Sequence, residues 1–217
     1  MNVRVLLVDD HQIMREGLRA LLEREPEIEI VGDAADGRRA RDLVRSLAPD
    51  VVVMDVGMPG LNGIEATRQV RAANAHVKVV ALSAHGDKRY VLHMLDAGAS
   101  GYVLKITAHE ELVRALFAVK EGKTYLCPEI AGFVVERSMQ ERAGSGLSAY
   151  STLGAREREV LQLVAEGKTS GEAAKAMHIS VKTVEAHRRN IAEKLGLHGT
   201  AELTKYAIRE GLTALEE

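Results

Sequence analysis

Five residues able to do chemistry stand at the ends of four apolar runs. Val3-Arg4-Val5-Leu6-Leu7-Val8 ends in Asp9-Asp10, and Val51-Val52-Val53-Met54 ends in Asp55. Lys78-Val79-Val80-Ala81-Leu82 ends in Ser83, and Gly101-Tyr102-Val103-Leu104 ends in Lys105. Carboxylates held together repel one another unless a proton or a cation intervenes. Three of them suit a hard, oxygen-seeking ion such as Mg²⁺. A lysine and a hydroxyl complete a pocket for a phosphoryl group. Such transfer needs positioning and charge neutralisation rather than a general base, and no base is evident in this set.

The elements that must bring these residues together follow from periodicity. The apolar runs are short and largely β-branched, which fits strands of a parallel sheet buried on both faces. In open parallel sheets ligands bind at the carboxyl ends of the strands, where Asp55 stands. Between the runs lie amphipathic helical stretches, one with Met14, Leu18, Leu21 and Leu22 on one face. Asp36, Asn62, Asp87 and Thr107 are placed to cap the later ones. With a short strand at Ile28-Glu29-Ile30-Val31, the order is βα repeated five times. That implies an α/β, doubly wound, five-stranded parallel sheet over residues 1–127. Residues 128–150 break the pattern and read as a linker, with Ile130-Ala131-Gly132-Phe133-Val134-Val135 able to form part of a helix and Gly144-Ser145-Gly146 flexible.

From residue 151 to 217 no strand run remains. Four helices are expected, with Ser180 and Thr200 as caps of the third and fourth and Gly196 as the stop of the third. The short turn before Ser180 suggests a helix-turn-helix. In the third helix, Val184, Arg188, Ile191 and Leu195 share a face that mostly packs inward. Lys182, Glu185, Ala186, Arg189 and Glu193 share the opposite one.

Composition narrows the function. The net charge is −2, and acids and bases balance within each half, so any nucleic-acid site must be local. Cys127 is the single cysteine, which excludes an internal disulfide and fits a reducing compartment. No signal peptide or membrane span is visible, so a cytoplasmic protein without a membrane partner is expected. His85 lies two residues after Ser83, near the site's edge; the remaining histidines show no metal spacing.

Residues 1–127 resemble the receiver domain of two-component response regulators, since acid pair, central Asp, Ser and Lys come in that order. Residues 151–211 resemble the LuxR-type helix-turn-helix. The resemblance rests on Arg156-Glu157-Arg158-Glu159-Val160-Leu161, Thr183-Val184-Glu185-Ala186-His187 and Ile191-Ala192-Glu193-Lys194-Leu195. Together they look like a NarL/FixJ-family response regulator.

That resemblance implies a set of roles. Asp55 takes a phosphoryl group from a sensor histidine kinase, and Asp9, Asp10, Asp55 and the Gly57 backbone carbonyl surround Mg²⁺. Lys105 pairs with the bound phosphoryl group, Ser83 bonds one of its oxygens, and Tyr102 is the aromatic switch that follows. Lys182, Thr183, Glu185, Ala186, His187 and Arg189 meet double-stranded DNA, and activation brings a homodimer. The chain is then a regulator, with transient chemistry at Asp55 alone and no enzyme activity of its own. Two departures stand out: Ile106 follows Lys105 where most receivers carry proline, and Gly57 offers no side chain to the site. An aspartyl-phosphate hydrolase would generally need a second Asp at position 57. A regulator that binds protein instead of DNA would not need the basic residues of the third helix.

Overall fold

The structure is a computed structural model that describes residues 2–84, 88–141 and 152–213; for 88–89, 108–110 and 136–141 it describes the backbone alone. The expected cap Asp87, the expected linker Gly144-Ser145-Gly146 and His85 lie outside the described residues. The chain divides into two compact units, Met1–Arg142 and Ala143–Glu217.

The first unit alternates strands and helices: β1 (Val3–Val8), α1 (Gln12–Leu22), β2 (Ile28–Ala34), α2 (Gly37–Leu47), β3 (Val51–Asp55), α3 (Gly63–Ala73), β4 (Lys78–Ser83), α4 (Lys88–Asp96), β5 (Gly101–Leu104), α5 (Ala108–Lys120), β6 (Tyr125–Leu126) and α6 (Pro128–Glu141). All strands run parallel, in the order β2-β1-β3-β4-β5-β6. β3 lies inside the sheet and every one of its residues is buried, which is why its sequence is apolar without alternation. Val5, Leu7, Val51, Val53, Val80 and Leu82 point to one face, where Leu18 and Leu22 of α1 and Leu112, Leu116 and Val119 of α5 cover them. Their strand neighbours point the other way, as period-two geometry demands. The buried Ala40, Val44, Ile64, Val70, Val91 and Met94 of α2, α3 and α4 form that second layer.

One expectation needs correction. The sheet has six strands, not five: Tyr125 N–H donates to the Ser100 carbonyl at 3.0 Å, and Cys127 N–H to that of Tyr102 at 3.1 Å. A two-residue strand leaves no hydrophobic pattern to read. The segment read as linker opens with a helix that contains the run from Ile130 to Val135, as its sequence allows. Pro128 stands at its first position, where a missing N–H costs nothing, and Ile130 is buried.

Close packing fixes the loop after β3. The Asn62 side chain accepts from Glu65 N–H at 2.9 Å and caps α3 as expected. Gly63 N–H donates to the Val56 carbonyl at 3.0 Å. A Cβ on Gly63 would meet the Asp55 carbonyl oxygen at 2.0 Å, so only glycine lets α3 start against the strand that carries Asp55.

The second unit holds α7 (Ala155–Ala165), α8 (Ser170–Met177), α9 (Val181–Leu195) and α10 (Thr200–Arg209). Val160, Leu161, Leu163 and Val164 of α7 are buried among the others. Ser180 caps α9 through Thr183 N–H at 3.1 Å, and Gly196 closes it at φ +65°. The expected cap Thr200 is instead the first helical residue of α10. Gly199 holds the cap position, and the Glu202 carboxylate accepts from Gly199 and His198 N–H.

No helix among the described residues is long and apolar enough to cross a membrane.

Candidate phosphoacceptor pocket and recognition helix

Parallel strands all end on one edge, and the register decides how closely their last residues meet. Asp55 pairs with Leu82, so Ser83 lies one residue further along the neighbouring strand. Ser83 in turn pairs with Leu104, so Lys105 follows at the same edge. Asp9 and Asp55 are buried, at 1% and 4% exposure. Lys105 Nζ donates to Asp9 Oδ2 at 2.7 Å and lies 3.0 Å from Asp55 Oδ1. Gly57 N–H donates to the same Asp55 oxygen at 3.4 Å. Ser83 is buried at its strand end, and Tyr102 is wholly buried within β5.

Charge is not balanced evenly here. Burial pushes the Asp55 carboxyl above its ordinary range; Lys105 and the Gly57 N–H work against that, and Asp9 adds to it. Burial also works against the Lys105 ammonium, but Asp55 and Asp9 together outweigh it and hold Lys105 above its usual value. The lysine has two carboxylates to choose from. Asp55 has one lysine and a like charge beside it.

Two residues belong to this pocket that the sequence reading left out. His11 Nδ1 lies 3.1 Å from Asp10 Oδ1 and 3.3 Å from Asp9 Oδ1. Ligand atoms of Asp9, Asp10, His11 and Asp55 all fall within 4.8 Å of one another. The expectation that histidines carry no metal spacing is therefore corrected for His11; the signal was its adjacency to the acid pair. Arg15, one turn into α1, donates to the Asp9 carbonyl at 2.7 Å and pairs with Asp33 of β2 at 3.1 Å. It fastens the end of β1 from behind, and nothing in its spacing announces a contact to a backbone oxygen.

In the second unit, α9 presents Lys182, Thr183, Glu185, Ala186 and Arg189 to solvent, while His187 is half-buried and Val184 and Ile191 pack inward. Glu185 is not free on that face. Its carboxylate accepts from the Ser170 hydroxyl at the start of α8, and Arg188 donates to the same hydroxyl. Lys194 Nζ donates to Glu157 Oε2 at 2.7 Å, tying α9 to α7. The same oxygen accepts from Gly154 N–H at 2.7 Å and so starts α7. One buried carboxylate thus sets both the origin of the central helix and the seating of the outer one.

Residues 5–117 match the response regulator receiver domain, and residues 151–207 match the bacterial regulatory proteins of the luxR family. The chain belongs to the NarL/FixJ family of response regulators. It is similar to the transcriptional regulatory protein LiaR of Bacillus subtilis (strain 168), with 38% identity over 97% of this chain and 99% of that one. It is 36% identical to the response regulator UvrY of Escherichia coli (strain K12), over 99% of this chain and 97% of the relative. Among solved structures, the RcsB response regulator bound to DNA matches with a TM-score of 0.59 and 26% identity, over 97% of this chain and 99% of that one. This response regulator thus joins a receiver domain to a LuxR-type DNA-binding domain and acts in transcription regulation.

The Glu157 contacts make a pH-dependent prediction. Burial alone would raise the Glu157 carboxyl, but the Lys194 ammonium and the Gly154 N–H outweigh it and hold the group below its usual 4.5. Stability from its charge is therefore present above pH 4.5 and lost as pH falls through the lower folded value. Glu157→Gln should destabilise the second unit by about 0.5–1 kcal/mol at neutral pH, since Lys194 is partly exposed. Unfolding curves of the full chain should show that difference vanish in acid. An equal difference at both pH values would mean that the side chain's shape, not its charge, holds α9.

Proposed function

We propose that Asp55 is the residue phosphorylated by a sensor histidine kinase, and that this switches the chain's binding to DNA. The observation that carries the reading is the approach of Lys105 Nζ to both Asp9 and Asp55, 2.7 and 3.0 Å away, at the carboxyl edge of the sheet. The Asp55 carboxylate forms a P–O bond as the P–N bond to the kinase's histidine breaks. Lys105 is then placed to move from the carboxylates onto the phosphoryl oxygens, where the negative charge has gone. Ser83 would donate its hydroxyl to one of those oxygens, and the repositioning of Ser83 is followed by Tyr102 in the next strand.

The donor set also fits Mg²⁺. Asp10 Oδ1 is buried, and its neighbours in the pocket are carboxylate oxygens and the His11 ring, whose Nδ1 lies 3.1 Å away. Asp9, Asp10, Asp55 and the Gly57 carbonyl would hold the ion. When bound it supplies the positive charge that lets the carboxylates and the incoming phosphoryl group share one pocket.

The DNA reading rests on α9. Acids and bases balance in residues 151–217, so a single copy has little non-specific pull on DNA. Two copies on paired half-sites give a dimer the reach that one helix lacks. Lys182 and Arg189 stand exposed on one face for phosphate and base contacts, beside Thr183, Ala186 and the half-buried His187. Glu185, held by Ser170, restricts which bases that face accepts.

Incubation with a small phosphodonor and Mg²⁺ should add one phosphate, sensitive to base as acyl phosphates are, and none to Asp55→Asn. Label on the Asn protein would remove Asp55 from its role. On DNA, Arg189→Ala should cost about 1–3 kcal/mol at the specific site and relax its base preference. Unchanged affinity and preference, measured by titration against fragments selected from genomic DNA, would place the reading face elsewhere.

A further inference from the structure

The outward face of α9 is basic at Lys182 and Arg189, and an acid stands between them. Glu185 lies three residues after Lys182 and four before Arg189, the two spacings at which a helix brings side chains together. It pairs with neither. Among the described residues Lys182 and Arg189 make no ion pair, and the Glu185 carboxylate turns to another helix instead. The Ser170 hydroxyl, at the start of α8, donates to Glu185 Oε1. Arg188 Nη1 donates to the same hydroxyl at 3.1 Å. The directions are fixed by chemistry, since a guanidinium only donates and an ionised carboxylate only accepts. Ser170 therefore takes a donor from Arg188 and gives its one proton to Glu185. Arg188 is half-buried and Glu185 exposed, so the relay runs from the packed side of α9 to its outer face. Glu185 Oε2 takes no hydrogen bond among the described residues.

A carboxylate held on a face that meets DNA is repelled by phosphate, and it finds donors only on base edges. In the major groove guanine offers two acceptors, and thymine an acceptor and a methyl group. Adenine offers its N6 amino donor beside the N7 acceptor, a pattern that suits an amide and opposes a carboxylate. Cytosine offers its N4 amino donor with no acceptor beside it.

We propose that Glu185 is a cytosine reader: Oε2 accepts from a cytosine N4 amino group, and Ser170 and Arg188 are positioning residues that hold the carboxylate for it. The inference rests on the reading of α9 as the helix that meets bases. It also sets a spacing. Side chains four residues apart on a helix lie about 5–6 Å from one another, and successive bases along a strand about 3.4 Å. The cytosine therefore falls within about two base pairs of the guanine that Arg189 takes.

The test uses the full chain, treated with a small phosphodonor and Mg²⁺, and duplexes selected by that protein from genomic DNA, with each base pair varied in turn. Removing a negative charge tightens binding to every sequence, so the quantity read is the ratio of affinities between duplexes that differ at one base pair. Wild type should prefer cytosine at one position by roughly tenfold over thymine, whose O4 opposes the carboxylate. Glu185→Gln should move the preference at that position alone toward adenine, which an amide meets bidentately. Ser170→Ala should shrink the same ratio by about threefold, and Ser170→Thr, which keeps the hydroxyl, should restore it. If Glu185→Gln leaves every ratio as in wild type while Arg189→Ala relaxes its own position, the proposal falls and the reading of α9 stands. A Ser170→Ala protein that loses affinity equally at all positions would show that Ser170 only joins two helices, and would overturn the positioning role. Ratios unchanged in both Glu185→Gln and Arg189→Ala would overturn the proposal and the reading of α9 together.

Discussion

One contact holds the account together: the Lys105 ammonium between the carboxylates of Asp9 and Asp55. Both acids are buried, and taking a charge out of water costs several kcal/mol unless a partner is close. The lysine is a partner for two acids at once, so the pocket is held but left short of positive charge. Burial and Asp9 raise the Asp55 carboxyl even with Lys105 beside it. A site in that condition favours whatever brings positive charge or redistributes the negative. In the proposed function a divalent cation would do the first, and transfer of a phosphoryl group to Asp55 would do the second by giving Lys105 a new acceptor. The contact between Lys105 and the two buried acids is therefore also the one that the proposed chemistry would change.

The scaffold makes that change local and sharp. β3 is buried along its whole length, α3 begins against the Asp55 carbonyl because residue 63 is glycine, and Arg15 holds the Asp9 carbonyl. These contacts hold the backbone around Asp9 and Asp55, and the proposed response to moving charge is assigned to Ser83 and Tyr102, whose strands end at the same edge. The second unit uses a similar economy. Glu157 starts α7 and anchors α9 through Lys194, while on the outward face of α9 Glu185 bonds Ser170 and Thr183 bonds the cap Ser180.

Much of this was legible in the residues. Asp9, Asp10, Asp55 and Lys105 could be placed together because each follows an apolar run, and parallel strands end on one edge. Asp36, Asn62 and Ser180 could be read as caps because their side chains accept from the N–H three residues on. What escaped had no local signature. β6 is two residues long, and its pairing is with Gly101 and Tyr102, far back in the chain. Thr200 has the right type for a cap, but Glu202 had already satisfied the N–H groups before it. Gly63 reads as a loop glycine until the Asp55 carbonyl is set beside it. His11 reads as a polar residue after an acid pair until the turn folds its ring back.

Lys105 holds two buried carboxylates at once, and a double-mutant cycle reads that directly. Stability is measured by denaturant unfolding at neutral pH, with divalent ions chelated, for wild type, Lys105→Met, Asp55→Asn and the double variant. Lys105→Met leaves two acids buried without their cation and should cost about 3–5 kcal/mol. In the Asp55→Asn background one of those acids is already neutral, so the same substitution should cost at least about 1 kcal/mol less. Costs that agree within about 0.3–0.5 kcal/mol in the two backgrounds would mean that Lys105 and Asp55 do not sense one another, and would contradict the account.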